Sequence, residues 1–263
     1  MRLAGARVLL TGATGGLGQA IARELAGRGA VLSLTGRRAD VLEPLAAEIG
    51  GRAIAADLSL PEAPARLLAE AGEIDVLVAN AGLPGSGRLS SFSDEEVDRA
   101  LAVNLRAPML LAKALVEPMV ERGHGHLVFM SSLAGKAASP GGSLYAATKF
   151  GLRGFALALR EDLAPRGVGV SVILPGFISE AGMFAESGAK LPPYVGTKRP
   201  EDVAQAVVKA IEQNRAEIQV APLPLRAGAT LASLAPGPAG AVQRRLGAAA
   251  TSAQLARGQR DKR

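Results

Sequence analysis

Cysteine and tryptophan are absent from this chain of 263 residues, which has only two histidines and 3% aromatics. Without thiols there is no disulfide framework and no thiolate metal site, although that alone does not fix the compartment. His124 and His126 stand beside glycines just ahead of an apolar run, where loop residues at a strand entrance are expected. No metal site follows from two imidazoles so placed. The few aromatics are not interleaved with basic residues, so nothing suggests stacking on nucleic-acid bases. No run approaches ~18 uninterrupted apolar residues, so no transmembrane segment is expected. The first ten residues, MRLAGARVLL, run straight into an apolar stretch without a separate signal core or cleavage site. Export is therefore not expected, and a cytoplasmic location is.

Acidic residues are also scarce, but only at one end. The net charge is +6, yet residues 244–263 hold Arg244, Arg245, Arg257, Arg260, Lys262 and Arg263 against Asp261, a net +5. The basic balance thus describes the tail, and the rest of the chain is close to neutral. Proline and glycine interrupt 222–240, and 241–256 holds at most one amphipathic helix. With few large apolar residues, mainly Leu246 and Leu255, the tail is expected to be mobile or marginally helical. Weak, salt-sensitive contact with an anionic membrane surface is the most its charge implies.

Strand and helix patterns alternate along the remainder without a polar linker. Apolar runs read as strands at 7–11, 30–35, 52–56, 75–79, 126–131, 169–174 and 217–221, with helical patterns between them. Such alternation implies one α/β domain over 1–221, followed by an extension over 222–263. No internal repeat is present.

Four features carry chemistry. The first strand leads into Thr11-Gly-Ala-Thr-Gly-Gly-Leu-Gly18, then a helix. Glycines there let the backbone turn tightly and approach a pyrophosphate, which the free N–H groups and dipole of the helix N-terminus attract. Tyr145 and Lys149 stand four residues apart, stacked on one helix face with Cβ atoms roughly 5–6 Å apart. A neighbouring ammonium favours phenolate, so a lowered tyrosine pKa and acid–base use of the phenol are expected. Ser132 follows the apolar run 126–130, and a hydroxyl at a strand's C-terminal edge is placed to hold a substrate oxygen. At the end of the second strand stands Thr35-Gly-Arg-Arg38, where arginine suits a 2′-phosphate. Arg37 is the first candidate there and Arg38 the second.

In chain order, TGxxxGxG, Asn80-Ala-Gly82, Asn104, Ser132, Tyr145-xxx-Lys149 and Pro175-Gly176 resemble the short-chain dehydrogenase/reductase family over about residues 5–220. The resemblance implies a doubly wound Rossmann-like sheet of seven parallel strands in the order 3-2-1-4-5-6-7. It implies hydride transfer between NADP(H) and a carbonyl or alcohol substrate, apolar to judge from the loop after Gly176. Asn104, Ser132, Tyr145 and Lys149 would be catalytic: serine holds the carbonyl oxygen, tyrosine protonates it, lysine supports the tyrosine, and Asn104 holds a relay water from a distorted helix. The cofactor would lie against Gly12, Thr14, Gly15, Gly16, Leu17 and Gly18, and against Arg37, Asp57 and Leu58. It would continue past Asn80, Ala81, Gly82, Tyr145 and Lys149 to Pro175, Gly176 and Ile178. No metal is implied, and a homodimer or homotetramer built on the catalytic helix and its predecessor is.

Two departures from the family pattern matter. Ala79 replaces the first asparagine of the usual NNAG, and Glu180 replaces a threonine that would bond the nicotinamide carboxamide, with Ser179 beside it as a substitute. The lid implied after Gly176 includes Phe177, Met183, Phe184 and Tyr194. Alternatives to a free-carbonyl reductase are a 3-oxoacyl-thioester reductase, a non-catalytic nucleotide-sensing protein, and an enzyme whose tail docks it elsewhere.

Overall fold

A computed structural model of the chain describes residues 1–192 and 195–262. Seven strands form one wholly parallel sheet: β1 (Arg7–Thr11), β2 (Val31–Gly36), β3 (Arg52–Ala55), β4 (Val76–Ala79), β5 (Gly125–Met130), β6 (Val168–Pro175) and β7 (Glu217–Val220). Their order is β3-β2-β1-β4-β5-β6-β7, as the resemblance implied. The central strands are buried on both sides, because crossover helices cover each face of a parallel sheet.

The side-chain alternation of each strand sorts the core into two layers. Val8, Leu10, Val76 and Val78 point toward α1 (Gly16–Gly27), α2 (Ala39–Ile49) and α8 (Pro200–Gln213). Leu9, Leu77, Ala79 and Phe129 point toward α3 (Ala63–Ala71), α5 (Ala107–Glu121) and α6 (Ser143–Leu163). Between β1 and β4 the chain changes winding direction, and the carboxyl ends of those strands open a crevice. The candidate site residues are delivered there.

Helix α4 (Asp94–Leu101) opens with a capping box formed by Ser93 and Glu96. It runs through a π-helical turn over Ala102–Arg106 before continuing as α5. That turn carries Asn104, whose side chain has other bonds to make than those of a regular helix.

Two expectations need correction. His126 is not at a loop entrance: it lies inside β5, 1% exposed, with Nε2 2.8 Å from the Ser171 hydroxyl. Burial holds its pKa down to about 3, so it is a neutral core residue. Among the described residues no cluster of ligands could hold a metal ion. The second correction concerns the carboxyl end, which is helical: after the short α7 (Gly182–Ala185) and α8 come α9 (Leu223–Leu234), α10 (Pro236–Arg245) and α11 (Ala248–Gly258). The prolines that read as breakers lie in the first turns of α9 and α10, where a missing N–H costs no hydrogen bond.

Candidate active site

The glycine turn is fixed from below by its neighbours on β4. The buried Thr11 hydroxyl accepts from the backbone N–H groups of both Asn80 and Ala81 at 3.0 Å. Asn80 in turn donates its amide to the carbonyls of Thr11 (3.1 Å) and Gly12 (3.2 Å). Gly12 adopts φ +68°, and a Cβ there would meet the Ala81 Cα at 2.7 Å, so only glycine fits. Asn80 therefore acts as a clamp that shapes the cradle. Gly15 caps α1 with no side chain across its N-terminus, leaving the first N–H groups free for an anion. Thr14, Gly16, Leu17 and Gly18 complete the turn, with Leu17 packed against Gly182 of the loop opposite.

At the far end of the cradle both arginines are exposed. Arg38 donates from Nη2 to the Thr14 carbonyl at 2.5 Å, so it braces the glycine turn. Arg37 lies close enough to Asp57 to act on its charge. Burial would raise the Asp57 carboxyl, but the backbone and hydroxyl hydrogen bonds of Ser59, with the charges of Arg37 and Arg99, hold it below the usual range. Leu58 beside it is buried. A positive, ordered edge results, and no acid stands at the end of β2 to repel a phosphate.

Asn104 and Lys149 come together over Gly82, and Tyr145 lies between Lys149 and Ser132. A Cβ on Gly82 would lie 3.4 Å from Asn104 Oδ1 and 3.5 Å from Lys149 Nζ, so the bare backbone keeps this space open. Asn104, 1% exposed, accepts from the Leu83 N–H at 2.6 Å and donates to its carbonyl at 2.9 Å. Pairing with the backbone of another segment explains its π turn, since an asparagine so engaged cannot sit in an undisturbed helix. Lys149 is buried and donates to the Met130 carbonyl at 2.9 Å. Its Nζ sits 5.6 Å from the Tyr145 ring centroid, as the spacing predicted. Ser132 receives the Ala134 N–H at 3.1 Å and reaches the Pro175 carbonyl only at 3.4 Å, a long bond that is easily exchanged.

The electrostatics differ from expectation in one respect. Burial pushes the Lys149 ammonium down to about 8. For Tyr145 burial dominates and raises the phenol above its ordinary value, while a hydrogen bond with Ser132 acts in the opposite direction. Burial thus outweighs the lowering that was expected, while the Lys149 ammonium lies near the ring and donates to a backbone carbonyl.

Several contributors escaped the sequence reading. Glu217 on β7 binds Lys136 at 3.2 Å and Arg153 at 2.6 Å, tying the segment after Ser132 to α6, which carries Tyr145 and Lys149. Pro175 ends β6, and Gly176 donates to the Val220 carbonyl at 3.0 Å. Ile178, buried, then bridges to Lys198. Ser179 gives its hydroxyl to the Lys198 carbonyl (3.2 Å), and Glu180, at φ +67°, turns to Arg199. Beyond them Met183 Cε reaches within 3.5 Å of where a Gly82 Cβ would lie, and Phe177 packs edge-on to Phe184. Tyr194 lies outside the described residues.

The carboxyl-terminal helices close over this loop. Gln259, only 5% exposed, donates to the Met183 carbonyl at 3.1 Å. Gln254 accepts from the Lys190 N–H at 2.9 Å, Lys262 pairs with Glu186, and Gly258 packs against the Ser187 carbonyl. Ser252 touches Gly141, four residues before Tyr145. The expected mobile tail is instead a strap, joining the loop over the site to the approach of the catalytic helix. Composition gave no sign of this, because every contact is made with residues more than sixty positions away.

A short chain dehydrogenase family model matches residues 6–192. Among curated relatives, a ketoacyl reductase of Nostoc, HetN, is 37% identical over 244 residues, covering 89% of this chain and 85% of that protein. Among solved structures, a short-chain dehydrogenase from Sphingobium yanoikuyae in complex with NADPH superposes with a TM-score of 0.75 at 29% identity, covering 81% and 87% of the two chains. A 3-ketoacyl-(acyl-carrier-protein) reductase from Brucella melitensis complexed with NADH gives 0.74 at 25% identity, covering 82% and 98%.

Proposed function

The chain belongs to the short chain dehydrogenase family, and on that premise we propose that it is an NADP-dependent oxidoreductase interconverting a carbonyl and an alcohol on an apolar substrate. The observation that carries this reading is the convergence of Asn104 Oδ1 and Lys149 Nζ on the bare backbone of Gly82, with Tyr145 stacked above Lys149. The cofactor fits the residues present: a cradle that only glycine permits at Gly12, an uncapped helix N-terminus, and two arginines at the ribose end. When bound, NADP(H) donates or accepts the hydride.

The side chains do the rest. Ser132 exchanges its long bond to Pro175 for one to the substrate oxygen and holds it beside Tyr145. Tyr145, kept protonated by burial, has the proton to give and passes it to that oxygen as the alcohol forms. The resulting phenolate is stabilised by the Ser132 hydroxyl and the Lys149 ammonium. Asn104, held rigid on Leu83, places a water beside Lys149 for the return of the proton. Met183, Phe177 and Phe184 exclude solvent and favour apolar groups. NADP is favoured over NAD by the charge of Arg37 and Arg38 at the ribose end; the two solved neighbours carry one cofactor each and do not decide between them. The enzyme acts in the cytoplasm as a homodimer or homotetramer through α5 and α6, where Met109 and Phe150 are exposed.

A second reading, 3-oxoacyl-thioester reduction, is supported by the names of similar proteins. NADPH oxidation measured against ketones, aldehydes, quinones and 3-oxoacyl thioesters separates the two. Turnover on free carbonyls supports the first, and turnover on thioesters alone the second. NADPH binding with no turnover on any of them would leave a nucleotide-sensing protein.

A further inference from the structure

Helix α9 is apolar on two opposite faces. Leu225, Ala229 and Ala232 recur at helical spacing, and the two alanines are its buried residues. Leu223, Ala227, Leu231 and Leu234 recur at the same spacing about half a turn away. Those three leucines are 73%, 64% and 78% exposed, the highest among the large apolar side chains of the described residues. Packing against the body needs only one apolar face. Helix α10, packed on α9, buries none of its residues and adds Val242, 54% exposed.

The charge beside this face has one sign. Residues 218–260 contain five arginines, Arg226, Arg244, Arg245, Arg257 and Arg260, and no aspartate or glutamate. None of the five is in an ion pair among the described residues. The cleft bordered by Leu223 and Arg226 adds Lys198 and Lys209 against the single acid Asp202. We propose that the α9–α10 hairpin seats on an anionic lipid surface, with leucines entering the acyl boundary and arginines at headgroup level. No helix is long and apolar enough to cross a membrane, so the contact is interfacial. A second copy suits the face less well: a two-fold contact brings like patches together, with no acid on either to answer Arg226, Arg244 and Arg245. This goes beyond adhesion by a charged tail, because apolar insertion survives salt that screens headgroup attraction.

Flotation of the full chain with phosphatidylcholine vesicles, with and without phosphatidylglycerol, tests it. Binding is expected only with the anionic lipid. The L231S/L234S variant, altered at exposed positions, should bind roughly tenfold or more weakly while melting like the parent. The chain lacks tryptophan, so Leu234→Trp supplies a single reporter whose emission should shift to the blue on anionic vesicles. Absence of both flotation and shift overturns the proposal. Unchanged binding of the serine variant does so too, leaving charge alone. So does an oligomer that the serine variant dissociates without any vesicle binding, which would assign the face to a second copy.

Discussion

Residues 1–221 and residues 222–262 were built by different rules. In the first region most local patterns coincide with the place their residues occupy. The central strands among those that read as apolar runs are buried on both faces, the glycine turn meets the crevice, and Lys149 lies over the Tyr145 ring. In the second, α9 and α10 bury two alanines between them, and α11 is held through Gln254, Gln259 and Lys262 on the loop above the site. The candidate catalytic residues thus lie in the region whose sequence announces them, and the cover over them comes from the region whose sequence does not.

The largest separation between the two regions is expected at Lys149. Lys149→Met removes the buried cation, and turnover should fall on the order of 10²–10⁴-fold in NADPH-dependent reduction. Its titration gives a second readout. The folded pKa of about 8 lies below the ordinary 10.5, so the cost of burying the charged form is fully present below pH 8. That cost is relieved as pH rises toward the unfolded value, so this group makes the protein more stable between the two. Chemical denaturation across that range should show the rise in the parent and lose this component in Lys149→Met. Turnover in reduction should fall over the same range, as the ammonium deprotonates.

Cofactor choice comes next. Arg37→Ala should erode a preference for NADPH over NADH by roughly 1.5–3 kcal/mol, the scale of a charge-assisted hydrogen bond. Equal affinity of the parent for both cofactors would remove the role given to Arg37, and a larger loss in Arg38→Ala would transfer it to the residue that braces Thr14.

The smallest effect belongs to the carboxyl-terminal strap, and it breaks the comparison if it is large. Gln259→Ala deletes the bond to Met183, worth about 0.5–1.5 kcal/mol, so KM should rise roughly two- to tenfold with kcat nearly unchanged. A chain ending after Leu246 should show a similar rise. If kcat collapses instead, the strap belongs to the catalytic machinery; if nothing changes, its contacts do not bear on turnover.

The sequence made legible what depends on residue type at short range. Glycines at Gly12 and Gly82, the i,i+4 pair on α6 and the capping box at Ser93 are of this kind. Asn104 was legible as an anomaly, and the π turn shows how the helix accommodates it. Residues whose role is set by distant partners were not legible. Thr11 orders Asn80 and Ala81, Glu217 joins Lys136 to Arg153, and Gln259 reaches Met183, each across a separation that local pattern does not encode. Prolines 224 and 236 misled for another reason: the same residue stops a helix in its interior and starts one in its first turn. The direction of the Tyr145 shift was missed because spacing gives proximity to Lys149 but not burial, which outweighs it.

The most direct test of the catalytic assignment is Tyr145→Phe, which keeps the ring and removes the proton. NADPH affinity and melting temperature should stay close to the parent's, while turnover on whichever carbonyl the parent reduces falls on the order of 10²–10⁴-fold. Turnover near the parent's in a folded, NADPH-binding Tyr145→Phe protein would contradict the account.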